Sequence, residues 1–286
     1  MSRTERRSLR WPRSVDWPGL SVGHRSWVLG GLLALSTASA PFLARLSING
    51  RFGPGAGLAG WMDALATVGV VGPALGAGVV AAATDDDVER VGVTFLAVFA
   101  LLAAVVPAAT VPAVAAAVGG GSVVLARRLP LTDWRSVPAV AALLGVAVTA
   151  LSAMGVGPAA GRSVGAHLVL LGGAASPALV LHGNRDWALG GLTGGVLVGV
   201  GLGSPFLTGA VALVGGGIVT TNLLVMAGGL GGLVTTASAG LRTRRWPALL
   251  GACLLIVAGV PATLPRVLAA TLGVSLLAVA RGGDRP

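Results

Sequence analysis

Long apolar segments separated by short polar stretches constrain the fold of this chain more than any other feature. A helix needs about 20 apolar residues to cross a bilayer, and such segments satisfy their backbone hydrogen bonds in lipid by forming helices. Ten segments approach that length, at residues 26–44, 61–83, 91–107, 110–126, 137–156, 163–181, 187–203, 208–232, 246–260 and 266–280. The sequence therefore predicts an all-α, polytopic transmembrane helix bundle of about ten spans, with eight to ten compatible with the shorter segments.

The shortage of charge supports the same class. Only 10% of the 286 residues are charged, whereas soluble domains carry about 25%. This fraction of charged residues is too small to cover a soluble surface, so we expect the lipid bilayer to be the partner that contacts most of the surface. We expect a basic cytoplasmic segment at 1–25, a single transmembrane domain at 26–280 and a short cytoplasmic tail at 281–286 of a multi-pass protein in the cell membrane.

Arginine placement predicts the orientation. If the N-terminus is inside, nearly all arginines fall in inner segments, as the positive-inside rule requires. The exceptions are Arg45, Arg51, Arg162 and Arg266. Both termini are then cytoplasmic, and the net charge of +10 needs no nucleic acid to explain it. Tryptophans at predicted span ends form an aromatic belt: Trp27, Trp61, Trp134, Trp187 and Trp246.

Acidic residues precede three of the helices that would start on the inner side. Asp85, Asp86 and Asp87 stand before the third span, Asp133 before the fifth and Asp186 before the seventh. A carboxylate at a helix start accepts backbone N–H bonds and meets the positive end of the helix dipole. We interpret these residues as helix caps, because three consecutive side chains do not converge on one metal ion.

A glycine ladder lies on the seventh segment, at Gly191, Gly195, Gly199 and Gly203. Residues four apart share one face of a helix, and small residues let two backbones approach closely in lipid. We expect this ladder to be a packing seam around which the bundle is organised. A homo-oligomer or a partner subunit is also compatible with it.

Ten spans divide into two sets of five, and the sequence contains a weak similarity between the two halves. Ser21-Val22-Gly23 precedes the first span, and Ser163-Val164-Gly165 begins the sixth. A repeat with an odd number of spans inverts its topology, and paired interrupted helices mark the midplane site of many transporters. The sequence thus suggests a 5+5 inverted repeat.

Five polar residues in apolar surroundings are candidates for contact with a transported solute. They are Asp63, Asn222, Ser176, Ser204 and Thr221. Asp63 is either an intramembrane ion relay or a first-turn acid at the outer surface, where Arg45, Arg162 and Arg266 would form an anion-attracting vestibule. The amide and hydroxyl groups either join helices by hydrogen bonds or bind a solute.

No catalytic, cofactor-binding or metal-binding motif stands out in the sequence, so we expect no cofactor. A small-solute transporter or permease component fits the span number and the thin loops best. A non-catalytic membrane scaffold or partner subunit is the first alternative. The second is a membrane-embedded enzyme for a lipid or prenyl substrate, for which Asp85–Asp87 with Arg127 and Arg128 is the nearest approach to a catalytic cluster.

Overall fold

The computed structural model describes residues 22–50, 59–130, 132–180, 185–203 and 223–282. Within these ranges the chain is helical and contains no strand, which confirms the all-α prediction. Short 3-10 turns precede α2, α4 and α5, and Pro177–Val180 continues α6 by one turn. The helices are α1 (Val22–Gly50), α2 (Met62–Ala83), α3 (Asp87–Val105), α4 (Thr110–Arg128), α5 (Val137–Ala153), α6 (Gly161–Ala175), α7 (Arg185–Gly203), α8 (Leu223–Arg242), α9 (Trp246–Ala258) and α10 (Leu264–Gly282).

Nine helical stretches among the described residues are long and apolar enough to cross a membrane. The remaining helix, α9, has 13 residues. It ends at Gly259, whose φ of +56° lies in the left-handed region that favours glycine. Pro261 and Pro265 follow closely. The architecture is therefore a polytopic bundle of ten helices in the described ranges, as the apolar segments predict.

The predicted eighth span, 208–232, ends too early. The described helix α8 runs from Leu223 to Arg242, and residues 204–222 lie outside the described ranges. The part of α8 beyond residue 232 contains two threonines. Thr235 and Thr236 are buried and donate to carbonyl oxygens one turn earlier, at 2.8 and 2.9 Å. A hydroxyl satisfied by its own helix does not need water.

The centre of the described bundle is α10, not the helix that carries the glycine ladder. Every residue from 267 to 280 is buried, and α10 packs against α1, α2, α4, α5 and α9. In an 18-residue window, 83% of α10 is buried but only 11% of α7. The expectation that the bundle is organised around the ladder is therefore wrong for the described residues, where α7 lies at the edge and packs against α8.

The helices pack as consecutive pairs, and each pair crosses where two glycines meet. A Cβ atom on Gly30 of α1 would lie 2.5 Å from the carbonyl oxygen of Gly76 in α2, and one on Gly76 would lie 2.4 Å from that of Gly30. Any side chain larger than hydrogen would force the backbones apart. The other four pairs are Gly92 with Gly120 (α3, α4), Gly145 with Gly165 (α5, α6), Gly190 with Gly231 (α7, α8) and Gly251 with Gly273 (α9, α10).

The suggested 5+5 repeat stays a prediction. Helices α1 and α2 pack tightly together, whereas α6, the counterpart of α1 in such a repeat, packs mainly against α5 and α8 in the described residues.

The aromatic belt is present in part. Trp61, Trp134 and Trp187 are at least half exposed, but Trp27 is buried within α1, with 1% of its surface exposed.

Candidate functional site

The two ends of the bundle differ in charge. We call one the charged end; it contains residues 84–90, 127–130, 132–136, 185–187, 242–246 and 281. Its carboxylates were predicted as helix caps, and two of them are. Asp86 accepts the backbone N–H groups of Val88 and Glu89, each at 3.0 Å. Asp133 accepts that of Arg135 at 3.1 Å in the turn that leads into α5.

The caps also bind arginines of neighbouring helices, which the sequence did not predict. Asp86 pairs with Arg127 at the end of α4, with Nε 2.8 Å from Oδ2. This hydrogen bond holds the pKa of Asp86 below its ordinary value of 3.8. Asp133 pairs with Arg281 at the end of α10. Its pKa is also lowered, first by the Arg135 N–H and then by the charge of Arg281.

Glu89 is the acid that the sequence interpretation missed. It lies in the first turn of α3 with 1% of its surface exposed. Arg128 binds it with both arms of the guanidinium, Nε at 2.8 Å from Oε2 and Nη2 at 3.0 Å from Oε1. The available signal was the order of charges: Asp86 and Glu89 begin one helix, and Arg127 and Arg128 end the next.

A further pair joins α7 to α8 at the same end. Asp186 in the first turn of α7 is 2.6 Å from Nη1 of Arg242. The interhelical pairs therefore tie α3 to α4, α5 to α10 and α7 to α8. Each is part of a charge-assisted hydrogen bond, which is stronger than a neutral one. In the described residues these contacts between charged side chains join the helices at this end.

A cleft opens at the opposite end of the bundle, which we call the Arg266 end. The cleft lies between α1, α2, α9 and α10 and has a volume of about 30 Å³. Its wall includes Pro41 and Phe42 of α1, Ala66 of α2 and Arg266 of α10. Arg266 is half-buried, and its Nη1 lies 3.4 Å from the carbonyl oxygen of Val260.

Packed side chains close the cleft below. A Cβ atom on Gly69 of α2 would lie 3.3 Å from both Pro41 and Pro265. Further along α1, a Cβ on Gly31 would lie 2.9 Å from Leu276 and 3.2 Å from Leu250. The cleft is therefore a dead end in this conformation.

Asp63 lies at the Arg266 end, exposed in the first turn of α2. It is three residues before Ala66, a spacing that puts both on neighbouring positions of the helix surface. The ion pairs between described residues do not include Asp63. The side chain of Arg45 lies outside the description, and the predicted vestibule of arginines stays a prediction.

Ser176 is buried between α6 and α8. Its hydroxyl lies 2.7 Å from the carbonyl oxygen of Gly173 and 2.7 Å from the hydroxyl of Thr236. The hydroxyl of Ser176 thus satisfies the Gly173 carbonyl that the Ser-Pro step leaves free, and its contact with Thr236 joins α6 to α8. Three other predicted polar residues, Ser204, Thr221 and Asn222, lie outside the described residues.

The glycine ladder turns away from the described neighbours of α7. Nothing described lies within 4 Å of a Cβ built on Gly191, Gly195, Gly199 or Gly203. The adjacent face carries the contact with α8 instead: a Cβ on Gly190 would lie 1.8 Å from the Thr235 hydroxyl. That the ladder is a packing seam stays a prediction. Among the described residues, no three His, Cys, Asp or Glu side chains lie close enough together to hold a metal ion.

Comparison with known proteins gives one match. The model of an integral membrane family of unknown function, DUF8068, matches residues 27–278. No curated protein and no solved structure matches the chain.

Proposed function

The chain belongs to that integral membrane family, and on this premise we propose that it is a small-solute transporter or the membrane component of a permease. The observation that carries the proposal is the difference between the two ends. A cleft reaches the central helix from the Arg266 end, while in the described residues interhelical ion pairs join the helices at the charged end. Alternating access requires a path that is open to one side at a time.

Prolines in two of the helices that form the cleft support a moving part. Pro41 interrupts the hydrogen bonding of α1, and Pro73 that of α2. A proline removes one backbone hydrogen bond and permits a local bend. Since α1 and α2 cross at Gly30 and Gly76, a bend at Pro41 would move the outer part of α1 relative to α10 while the crossing stays in place. Such a movement would separate Pro41 from Gly69 and Pro265 below the cleft.

Cysteine labelling tests this proposal without knowledge of the solute. Cys253 is the single cysteine and is half-buried, so Cys253→Ser provides the background. We expect Ala66→Cys, at a half-buried position in the cleft wall, to react with an impermeant thiol reagent from the Arg266 end. Leu276→Cys lies in the packed layer below the cleft and should react from the charged end in a fraction of molecules.

Leu254→Cys is the matched control, because Leu254 is fully buried and should react from neither side of sealed vesicles. If Leu276→Cys is as unreactive as this control from both sides while Ala66→Cys reacts, no second opening exists and the transporter proposal fails.

The scaffold alternative is favoured by a different observation. Close glycine contacts in all five consecutive helix pairs, together with the ion pairs, would suit a rigid structural subunit. Gentle native purification followed by mass spectrometry narrows the choice. A partner chain at fixed stoichiometry would favour a permease component or scaffold, and a chain that purifies alone would favour an autonomous transporter.

A further inference from the structure

We propose that the α8–α9 corner, residues 241–246 at the charged end, binds the phosphate headgroup of an anionic lipid, and that Arg244 is its principal contact. The corner contains three arginines within four positions, Arg242, Arg244 and Arg245. Asp186 of α7 pairs with Arg242. Arg244 is exposed, and its guanidinium forms no ion pair or hydrogen bond with a described residue. This inference does not depend on the proposed transport function.

The backbone holds Arg244 in a conformation that favours glycine. Its φ is +56°, and it is the only non-glycine residue with a positive φ in the described ranges. The turn that ends α8 requires this conformation. In that turn the Arg245 N–H donates to the Gly240 oxygen at 2.8 Å. The Arg244 N–H donates to the Leu241 oxygen at 3.3 Å.

Glycine would suit this position better, because an L side chain with positive φ is strained. Residues held in such conformations cluster at ligand sites. The strain at Arg244 therefore supports a role for its side chain, and the side chain of this residue carries a charge to an exposed position beside two further arginines.

Exposed apolar side chains beside the corner indicate a lipid. Leu241 at the end of α8 and Trp187 at the start of α7 are both at least half exposed. Trp187 follows Asp186, the partner of Arg242, so it lies close to the corner. Tryptophan is enriched at the headgroup level of a bilayer, and α7 lies at the edge of the described bundle. A lipid here would place its phosphate at the arginines and its acyl chains along the apolar surface.

The chemistry of the guanidinium suits this ligand. Its N–H donors form a planar fork that matches phosphate oxygens, and such charge-assisted hydrogen bonds are stronger than neutral ones. If the charged end is cytoplasmic, as the arginine asymmetry predicts, the corner faces the leaflet in which anionic lipids attract basic residues.

Phosphatidylglycerol is the probe, and phosphatidylcholine is the reference. The full-length protein in neutral detergent is titrated with each lipid, while native mass spectrometry counts the bound lipids and the melting temperature is recorded. We expect the native chain to bind phosphatidylglycerol in preference and to melt at a higher temperature with it. Arg244→Gln should weaken this binding about fivefold, the usual loss for one basic residue at an anionic surface, and Arg244→Lys should retain most of it.

Arg244→Gly separates the charge from the fold. Glycine relieves the strain at φ +56°, so this variant should keep or raise the melting temperature without lipid. It should nevertheless lose phosphatidylglycerol binding as Arg244→Gln does. Opposite effects on the two measurements would not follow from a purely structural role of the side chain.

Arg135→Gln is the matched control. Arg135 is an exposed arginine of the same end that lies over the Trp134 ring, 5.7 Å from its centre, and its removal should leave binding nearly unchanged. Equal losses in Arg135→Gln and Arg244→Gln would mean a diffuse attraction to the whole surface and would overturn the site. Equal binding by the native chain and Arg244→Gln would also overturn it.

Two other anions test the source of the negative charge. Inorganic phosphate at the concentration of the lipid should not displace phosphatidylglycerol, because it has no acyl chain to contact Leu241 and Trp187. Displacement would assign the corner to a dissolved anion. A hexaglutamate peptide that raises the melting temperature of the native chain but not of Arg244→Gln, without a preference for phosphatidylglycerol, would assign it to an acidic protein segment. Either result would make the lipid assignment wrong.

Discussion

Glu89 shows how one arginine can hold a buried charge in place. With 1% of its surface exposed, this carboxylate has little water to solvate it, and Arg128 supplies both hydrogen bonds. Removing one partner of a buried pair is costly because the other charge stays behind. We expect Arg128→Met to lower the free energy of unfolding by roughly 3 kcal/mol, measured by denaturation of the protein in detergent.

The double variant Glu89→Gln/Arg128→Met should regain much of this loss, since it no longer contains a lone charge. Arg127→Met is the neighbouring control. Its partner Asp86 is more exposed, and water can solvate it, so the loss should be smaller. Equal losses for Arg127→Met and Arg128→Met would contradict the assignment of Glu89 as the critical buried acid.

Acid should weaken the charged end. The pKa values of Asp86 and Asp133 are lower in the folded protein than the ordinary 3.8. The unfolded chain therefore takes up protons first, and the stability that these groups contribute is present above that value and lost as pH falls through the folded pKa. We expect the melting temperature in detergent to fall below about pH 4, and to fall less steeply in Asp86→Asn/Asp133→Asn. If the melting temperatures of the native chain and of the double variant fall equally steeply with pH, this prediction is wrong.

At the scale of helices, the sequence predicts the elements better than their contacts. Bilayer thickness sets the length of an apolar helix, so nine stretches could be found from hydrophobicity alone. The end of α8 is an exception: the predicted span ends at 232, whereas the helix continues to Arg242 through Thr235 and Thr236, whose hydroxyls donate to carbonyl oxygens of their own helix. The pairing of Glu89 with Arg128 joins residues on different helices, which no local pattern specifies.

Neighbouring glycines of α7 test which face of this helix carries the packing. A Cβ on Gly190 would meet the Thr235 hydroxyl at 1.8 Å and the Gly231 oxygen at 2.5 Å, whereas none of the described atoms lies within 4 Å of one on Gly191. Both substitutions to alanine gain the same helix propensity, about 1 kcal/mol. We expect Gly190→Ala to lower the melting temperature in detergent and Gly191→Ala to maintain or raise it.

Gly195→Leu extends this comparison to the ladder itself. A loss of stability in Gly191→Ala and Gly195→Leu equal to that in Gly190→Ala would mean that the ladder is also a packed seam, as its spacing predicts. The described contacts of α7 favour a loss of stability in Gly190→Ala that is not matched by Gly191→Ala and Gly195→Leu.

For the whole molecule, hydrophobicity does not tell the centre from the edge. Lipid tails and helix neighbours are similarly apolar, so a helix surrounded by protein and one that faces lipid have similar sequences. This is why α10 and α7 could not be ranked from sequence, although 83% of one window and 11% of the other are buried. The sequence also does not predict the cleft. It indicates that Arg266 lies at the outer side, but the walls of the cleft come from two helix pairs, α1 with α2 and α9 with α10, that are far apart in the chain.

The topology depends on whether the short helix α9 completes a crossing. Its 13 residues span about 20 Å, against about 29 Å for the 19 residues of α10. The link of five residues from 259 to 263 can extend by about 17 Å, which makes up the difference. The chain must make this crossing, because Arg242 before α9 and Arg281 at the end of α10 both pair with acids at the charged end.

We therefore expect a reporter at the C-terminus to lie on the same side of the membrane as one at residue 243, between α8 and α9, and on the opposite side from one at residue 155, between α5 and α6. If the charged end is cytoplasmic, as the arginine asymmetry predicts, a fluorescent protein at the C-terminus will fold and fluoresce, and alkaline phosphatase fused there will be inactive. The reverse pattern at both 243 and the C-terminus would invert the orientation but keep the fold. Opposite results at these two sites would mean that α9 does not cross, and would contradict the ion pair between Asp133 and Arg281.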